Sequence, residues 1–132
     1  MAYLEHPTDI RNLIANTVTD QIDGGGAAGK LIFFEANTAA AGEALATLTF
    51  TYPNAFDPAV NGVAAANTIT ANTETLANTV TWFQVQDSSG TVIFEGDVTS
   101  DDVGTGAIQL SSTTLGTGDT VSVSSLTYTA PN

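Results

Sequence analysis

The 132-residue chain is predicted to be mainly β: a single β-sandwich of about seven short antiparallel strands with one N-terminal α-helix. Three features of the sequence lead there. Helical apolar spacing is confined to the first two dozen residues, at Ile10, Leu13, Ile14, Val18 and Ile22. After Gly29 the period changes, and short runs rich in Val, Thr, Ile and aromatic residues alternate with turn residues. Within that region, residues 79–98 carry a strong hairpin signal: two β-rich runs around Asp87-Ser88-Ser89-Gly90.

Taken in order, residues 1–7 form an arm whose large apolar groups are Tyr3 and Leu4. Residues 8–132 form the helix and the β domain. Thr8, after Pro7, is placed to cap the helix, and 23–26 (Asp-Gly-Gly-Gly) should end it, because glycine is costly inside a helix. Residues 31–35 read as a short strand. Residues 44–52 alternate, with Leu48, Phe50 and Tyr52 on one side. Pro53, Pro58 and the Asn61-Gly62 pair mark a loop and a tight turn. A weak strand of small residues follows at 63–71. After the hairpin come a loop at 101–106, a short strand at 107–110, a turn at 116–119 and a last strand at 120–129. The last strand switches parity, as a bulge at Ser124-Ser125 would explain.

Folding the hairpin about Ser88-Ser89 pairs Phe83 with Phe94 and Val85 with Val92 on a core face. The opposite face sets Trp82 across from Glu95 and Val80 across from Asp97. That face is half apolar and half acidic and needs a cover. The N-terminal helix is the favoured cover for Trp82, and a subunit interface is the alternative.

Composition narrows the function. The net charge is −12, and Arg11 and Lys30 are the only basic side chains. Such a surface repels phosphate backbones and anionic membranes, so neither nucleic acid nor membrane is an expected partner. It favours solubility in crowded display, because identical copies repel. The first residues lack the charged and apolar regions of a secretory signal, and no apolar run is long enough to span a membrane. Cysteine is absent, so packing and ladder hydrogen bonds must hold the fold. None of the five Asn-Thr pairs forms a glycosylation sequon.

Residues 24–31 resemble a phosphate-binding loop, but Leu31 stands where a hydroxyl is needed. The order is also helix, loop, strand, the reverse of what places phosphate at a helix N-terminus. A flexible connector is the better reading. His6, the only histidine, lies in the arm, poorly placed for preorganised catalysis. Neither an enzyme nor a cofactor is expected. Glu95, Asp97, Asp101 and Asp102 are the sole candidates for a hard-cation site. They lack the spacing of a calcium loop, and a solvated acidic edge that discourages strand pairing accounts for them better.

Thr81-Trp82-Phe83, residues 87–92, Gly96-Asp97-Val98, residues 110–113, Gly118, residues 120–123 and Tyr128-Thr129 together resemble a family of small acidic virion proteins of tailed bacteriophages. The early helix that runs through glycines into a strand, and residues 61–64, are similar too. The resemblance spans roughly residue 10 to the end and is made of strand and turn patterns. It implies capsid decoration: a β domain that cements the outer surface of the shell, made in the host cytoplasm and bound to the major capsid protein. A homo-oligomer is implied, with a trimer at local three-fold positions favoured. The arm has no match in the pattern. Tyr3, Leu4, His6 and Trp82 are the candidate capsid or subunit contacts. Two other roles are compatible with the composition: a tail, neck or head-fibre component of the virion, and a non-viral adhesion module that binds calcium or sugar.

Overall fold

The computed structural model describes residues 4–35, 44–100, 104 and 107–131. The protein is mainly β with one N-terminal helix. Helix α1 (Thr8–Asp20) runs into a single 3-10 turn at Gln21–Asp23. Nine strands follow among the described residues: β1 (Lys30–Phe34), β2 (Ala44–Thr49), β3 (Val63–Ala65), β4 (Asn78–Thr79), β5 (Trp82–Gln86), β6 (Val92–Ser100), β7 (Ile108–Leu110), β8 (Thr114–Leu115) and β9 (Thr127–Thr129). They form one five-stranded sheet, β2-β1-β5-β6-β7, and two ribbons, β3-β9 and β4-β8.

This corrects the expected count and direction. The strands number nine rather than seven, because β4 and β8 are two-residue elements with no periodicity to read. Nor are they all antiparallel: β7 runs parallel to β6, with Val98 beside Ile108 and Ser100 beside Leu110. The expected long C-terminal strand is also broken. Val121 bridges to Asn72, and the ladder resumes only at Thr127, so the parity switch marks a gap rather than a bulge.

Pro7, not Thr8, occupies the cap position of α1, at φ −62° and ψ 160°. Its carbonyl accepts the Ile10 and Arg11 amides, each at 3.0 Å, so no side-chain cap is needed. At the far end the glycines do end the helix, Gly24 following the 3-10 turn. Asn61 and Gly62 both take positive φ, 53° and 78°, as the Asn-Gly turn signal requires.

The hairpin forms with a different register. Trp82 faces Asp97, Phe83 faces Gly96 and Val85 faces Phe94, while Gln86 faces Val92 across a bulge. Ile93 is the extra residue, and it flips the parity beyond it. Val92 consequently leaves the core face and is 40% exposed. Parity before the bulge is as expected, since Trp82 and Phe94 lie on opposite faces. Phe83 and Phe94 are diagonal neighbours, edge to face at 6.3 Å. Val80 stands outside the hairpin, buried, its amide donating to the Thr113 carbonyl at 2.8 Å.

The core lies on the Phe83/Val85 face. Leu31 and Phe33 of β1, Leu48 of β2 and Val98 of β6 share it, and all are buried. Tyr128 of β9 stacks on Phe94 at 5.2 Å, bringing the β3-β9 ribbon against this face. Helix α1 packs on β3 and β9 in turn. At the exit of β2, Phe50 is buried against Phe56, 5.8 Å away, whereas Tyr52 has already turned outward and is 45% exposed.

Residues 24–29 are not a free linker. A Cβ on Gly29 would lie 2.4 Å from the Ile22 side chain and 2.7 Å from the Gln86 carbonyl oxygen. Only glycine lets the helix turn pass this close to β5. Gly29→Ala should cost about 1–3 kcal/mol through overpacking, read from urea denaturation. A variant as stable as wild type would show that the contact relaxes freely.

The hairpin turn rests on Asp87. One carboxylate oxygen accepts the Ser89 hydroxyl at 2.7 Å and the Ser89 and Thr91 amides at 2.9 and 3.0 Å. These bonds, the Ser89 hydroxyl first and the Thr91 amide next, hold its carboxyl below the ordinary value of 3.8. A carboxyl lowered on folding stabilises the fold above its unfolded pKa, and that contribution is lost as pH falls through the folded value. Asp87→Ala should therefore lower the melting temperature near neutral pH, with the gap from wild type narrowing below about pH 4. A gap that does not vary with pH would mean the charge plays no part.

Candidate interaction surface

Helix α1 is fastened to the 54–62 loop by polar side chains. Asn12 Oδ1 accepts the Gly62 amide at 2.7 Å, and Asn16 Oδ1 accepts the Ala59 amide at 2.8 Å. Asp23 Oδ2 accepts the Asn54 and Ala55 amides at 3.1 and 3.3 Å. Arg11 lies along the same turn, so close that a Cβ on Gly62 would be 2.8 Å from its guanidinium carbon. Loop backbone that no ladder satisfies is thus satisfied by the helix.

These bonds fix how the helix is rolled. Its buried side is Ala15 and Thr19, continued by Ile22 in the 3-10 turn. The Thr19 hydroxyl is accommodated by donating to the Ala15 carbonyl at 2.9 Å. Ile14 packs partly against the core, while Ile10 and Leu13 face outward, 40% and 60% exposed. The expected apolar stripe is therefore only half used. The asparagine contacts carry no hydrophobic periodicity, which is why sequence reasoning missed them.

Of the candidate contact residues, Tyr3 lies outside the described residues. Leu4 is 76% exposed, and His6 is partly buried. Trp82 is elsewhere. It lies on the sheet face opposite Phe94, whereas β9, on which the helix packs, stacks on Phe94 itself. The helix and Trp82 are on opposite sides of the sheet, so the expected cover is not the helix. Trp82 is instead partly sheltered by its neighbours: Nε1 donates to Glu95 Oε1 at 3.2 Å. Gln84 Nε2 donates to Glu95 Oε2 at 3.3 Å, and Gln86 Nε2 to Gln84 Oε1 at 2.8 Å. The chain of amides satisfies the polar end of Gln84, which is 4% exposed between Ile32 and Glu95.

Asp97 is also occupied locally, its Oδ1 accepting the Ala107 amide at 2.9 Å. Asp101 and Asp102 lie outside the described residues. Among the described residues no three His, Cys, Asp or Glu side chains approach closely enough to hold a metal ion. Nor, among them, is any helix long and apolar enough to cross a membrane.

Cavities open on the surface among the described residues. One of about 760 Å³ runs between β7 and residues 119–127 and is walled largely by serine and threonine hydroxyls. Another, about 390 Å³, lies beside the helix between Asn16 and Asp20 on one wall and Asn54, Asp57 and Asn67 on the other.

No protein-family model, curated protein or solved structure matches this chain. Its most distinctive surface is the N-terminal one, where large aliphatic groups stand in solvent beside carboxylates.

Asn12→Ala and Asn16→Ala each strand a loop amide and should each cost about 1–2 kcal/mol in urea denaturation. Leu13→Ala, on the exposed side of the same helix, should stay within about 0.5–1 kcal/mol. The reverse order would mean that the apolar side, not the polar one, holds the helix.

Proposed function

We propose that this chain is a bacteriophage capsid decoration protein: a β-sandwich domain that binds the outer surface of the shell, bridges major capsid protein subunits and stabilises the particle. The observation that carries the reading is the N-terminal segment, where Leu4 is 76% exposed directly ahead of the helix on an otherwise acidic chain. A short segment that leaves a leucine in water gains by docking it elsewhere. The strand and turn patterns resembling phage virion proteins support the capsid as the partner. The sandwich is supported by Tyr128 on Phe94, which sets the β3-β9 ribbon on the inner face of the sheet.

The mechanism is additive. Each copy ties neighbouring subunits together, and attachment at many points lets modest single contacts resist rupture of a filled shell. A charge of −12 on each copy keeps decorated particles and free protein apart. A trimer at local three-fold positions is the arrangement in which three such anchors act together.

Deleting residues 2–6 should leave a folded, soluble domain that no longer decorates particles of the phage whose genome encodes the chain. Electron cryomicroscopy of those particles with the full-length protein should show density at capsomer contacts. Density confined to the tail would replace decoration with a tail role. Truncated protein that binds as well as the full chain would show that residues 2–6 are not the anchor.

A further inference from the structure

The helix presents to solvent the aliphatic groups that an amphipathic helix normally hides. Ile10 and Leu13, three residues apart, share one side, 40% and 60% exposed, and Leu4 precedes them at 76%. Large aliphatic groups left in water beside one another on a helix are the kind of surface that a contact covers. The orientation is held in place, since Asn12 and Asn16, on the flank between this side and the buried Ala15 and Thr19, accept loop amides.

Carboxylates border this ridge. Exposed Asp9 precedes Leu13 by four residues, one helical turn, and exposed Asp20 continues the same side. Next to it, the 390 Å³ cavity has Asp20 and Asp57 in its walls, with the amides of Asn16, Asn54 and Asn67. No cationic side chain lines that cavity. The two that the chain owns are Arg11, turned against Gly62, and Lys30, at the start of β1.

We infer that the outward face of α1, with Leu4, is a docking ridge for a partner protein surface that pairs an apolar groove with arginine or lysine side chains. One of these cations enters the cavity between Asp20 and Asp57. The inference rests on the decoration reading, in which that partner is the capsid. Charge decides against a second copy: two ridges meeting face to face would crowd Asp9 and Asp20 of each chain together, on molecules already at −12. Arginine suits the cavity best, because its planar fork can bond a carboxylate and an amide oxygen at once.

The test uses capsids that lack this chain and the full-length protein, with bound fraction read by co-sedimentation. Wild type should bind, and more weakly as salt rises, because the rim contacts are ionic. The exposed pair Ile10→Ser with Leu13→Ser should melt as wild type does and bind about tenfold or more weakly. Asp20→Lys with Asp57→Lys should weaken binding by a similar factor through charge alone, which keeps the idea open to refutation if the serine pair folds poorly. If wild type does not bind, the decoration reading fails and the ridge loses its partner. Should wild type bind and both variants bind equally well, decoration stands and the ridge is wrong. Sedimentation equilibrium showing a dimer that the serine pair dissolves would give the face to a second copy and overturn the proposal.

Discussion

The hydrogen bonds from Asn12, Asn16 and Asp23 to the amides of residues 54–62 are the constraint on which the rest of the N-terminal half depends. The loop has buried Ala55, Phe56 and Ala59 but little ladder of its own. Each loop amide left unpaired would cost about 1–3 kcal/mol. The competing roll of the helix would bury Leu13 and Ile10 more fully. Burying a whole aliphatic side chain gains about 1.5–3 kcal/mol, and these two are already partly covered. Four satisfied amides outweigh two half-exposed aliphatics. The polar side wins, and the aliphatic side is left outward as a consequence.

The five-stranded sheet shows the same preference for satisfying polar groups locally. Its outer face carries Trp82, Gln84 and Gln86 on β5 opposite Asp97, Glu95 and Val92 on β6. Glu95 takes the Trp82 and Gln84 donors on its two oxygens, so neither the indole nor the amide needs a covering layer. The bulge at Ile93 contributes by returning one more aliphatic side chain toward the core while sending Val92 out. The half-apolar, half-acidic face is thus largely self-contained. On the N-terminal surface no such network covers Leu13, which stays 60% exposed.

Elements with a strong period were legible in the sequence. The helix, the strand at β1, the Asn61-Gly62 turn and the opposite faces of Trp82 and Phe94 follow from spacing and turn chemistry. The register differs from the expected one by two residues: the turn closes from Asp87 to Thr91 around three residues rather than two, and the bulge at Ile93 adds another without leaving a compositional mark. Strands β4 and β8 were invisible because two residues have no period. Residues 72–78 carry no periodic signal, yet they contain Thr75, 1% exposed, its hydroxyl 2.9 Å from the carbonyls of both Gly116 and Asp119. A buried threonine that pins a distant turn has no local signature. The candidate surface was half legible: Leu4 stood out by size and place, whereas the outward Leu13 depends on asparagine contacts to a loop four dozen residues away.

The excess of acids over bases acquires a physical sense in this setting. Asp23, Asp87, Asp97 and Asp119 all accept backbone amides at loops or turns, Asp119 from Gly116 at 2.6 Å. A carboxylate in that duty draws its stabilisation from N–H dipoles rather than from a lysine or arginine, although Asp23 keeps Oδ1 buried without a hydrogen-bond partner. A chain that closes its turns with aspartates can therefore hold its fold at −12 with almost no cations. The acids left over are the ones to ask about. Asp9, Asp20 and Asp57 cap no loop amide among the described contacts, and they gather along the side of the helix where Ile10 and Leu13 stand in water. Apolar groups and uncommitted carboxylates on one face are the ground for the proposal that this surface meets a basic partner.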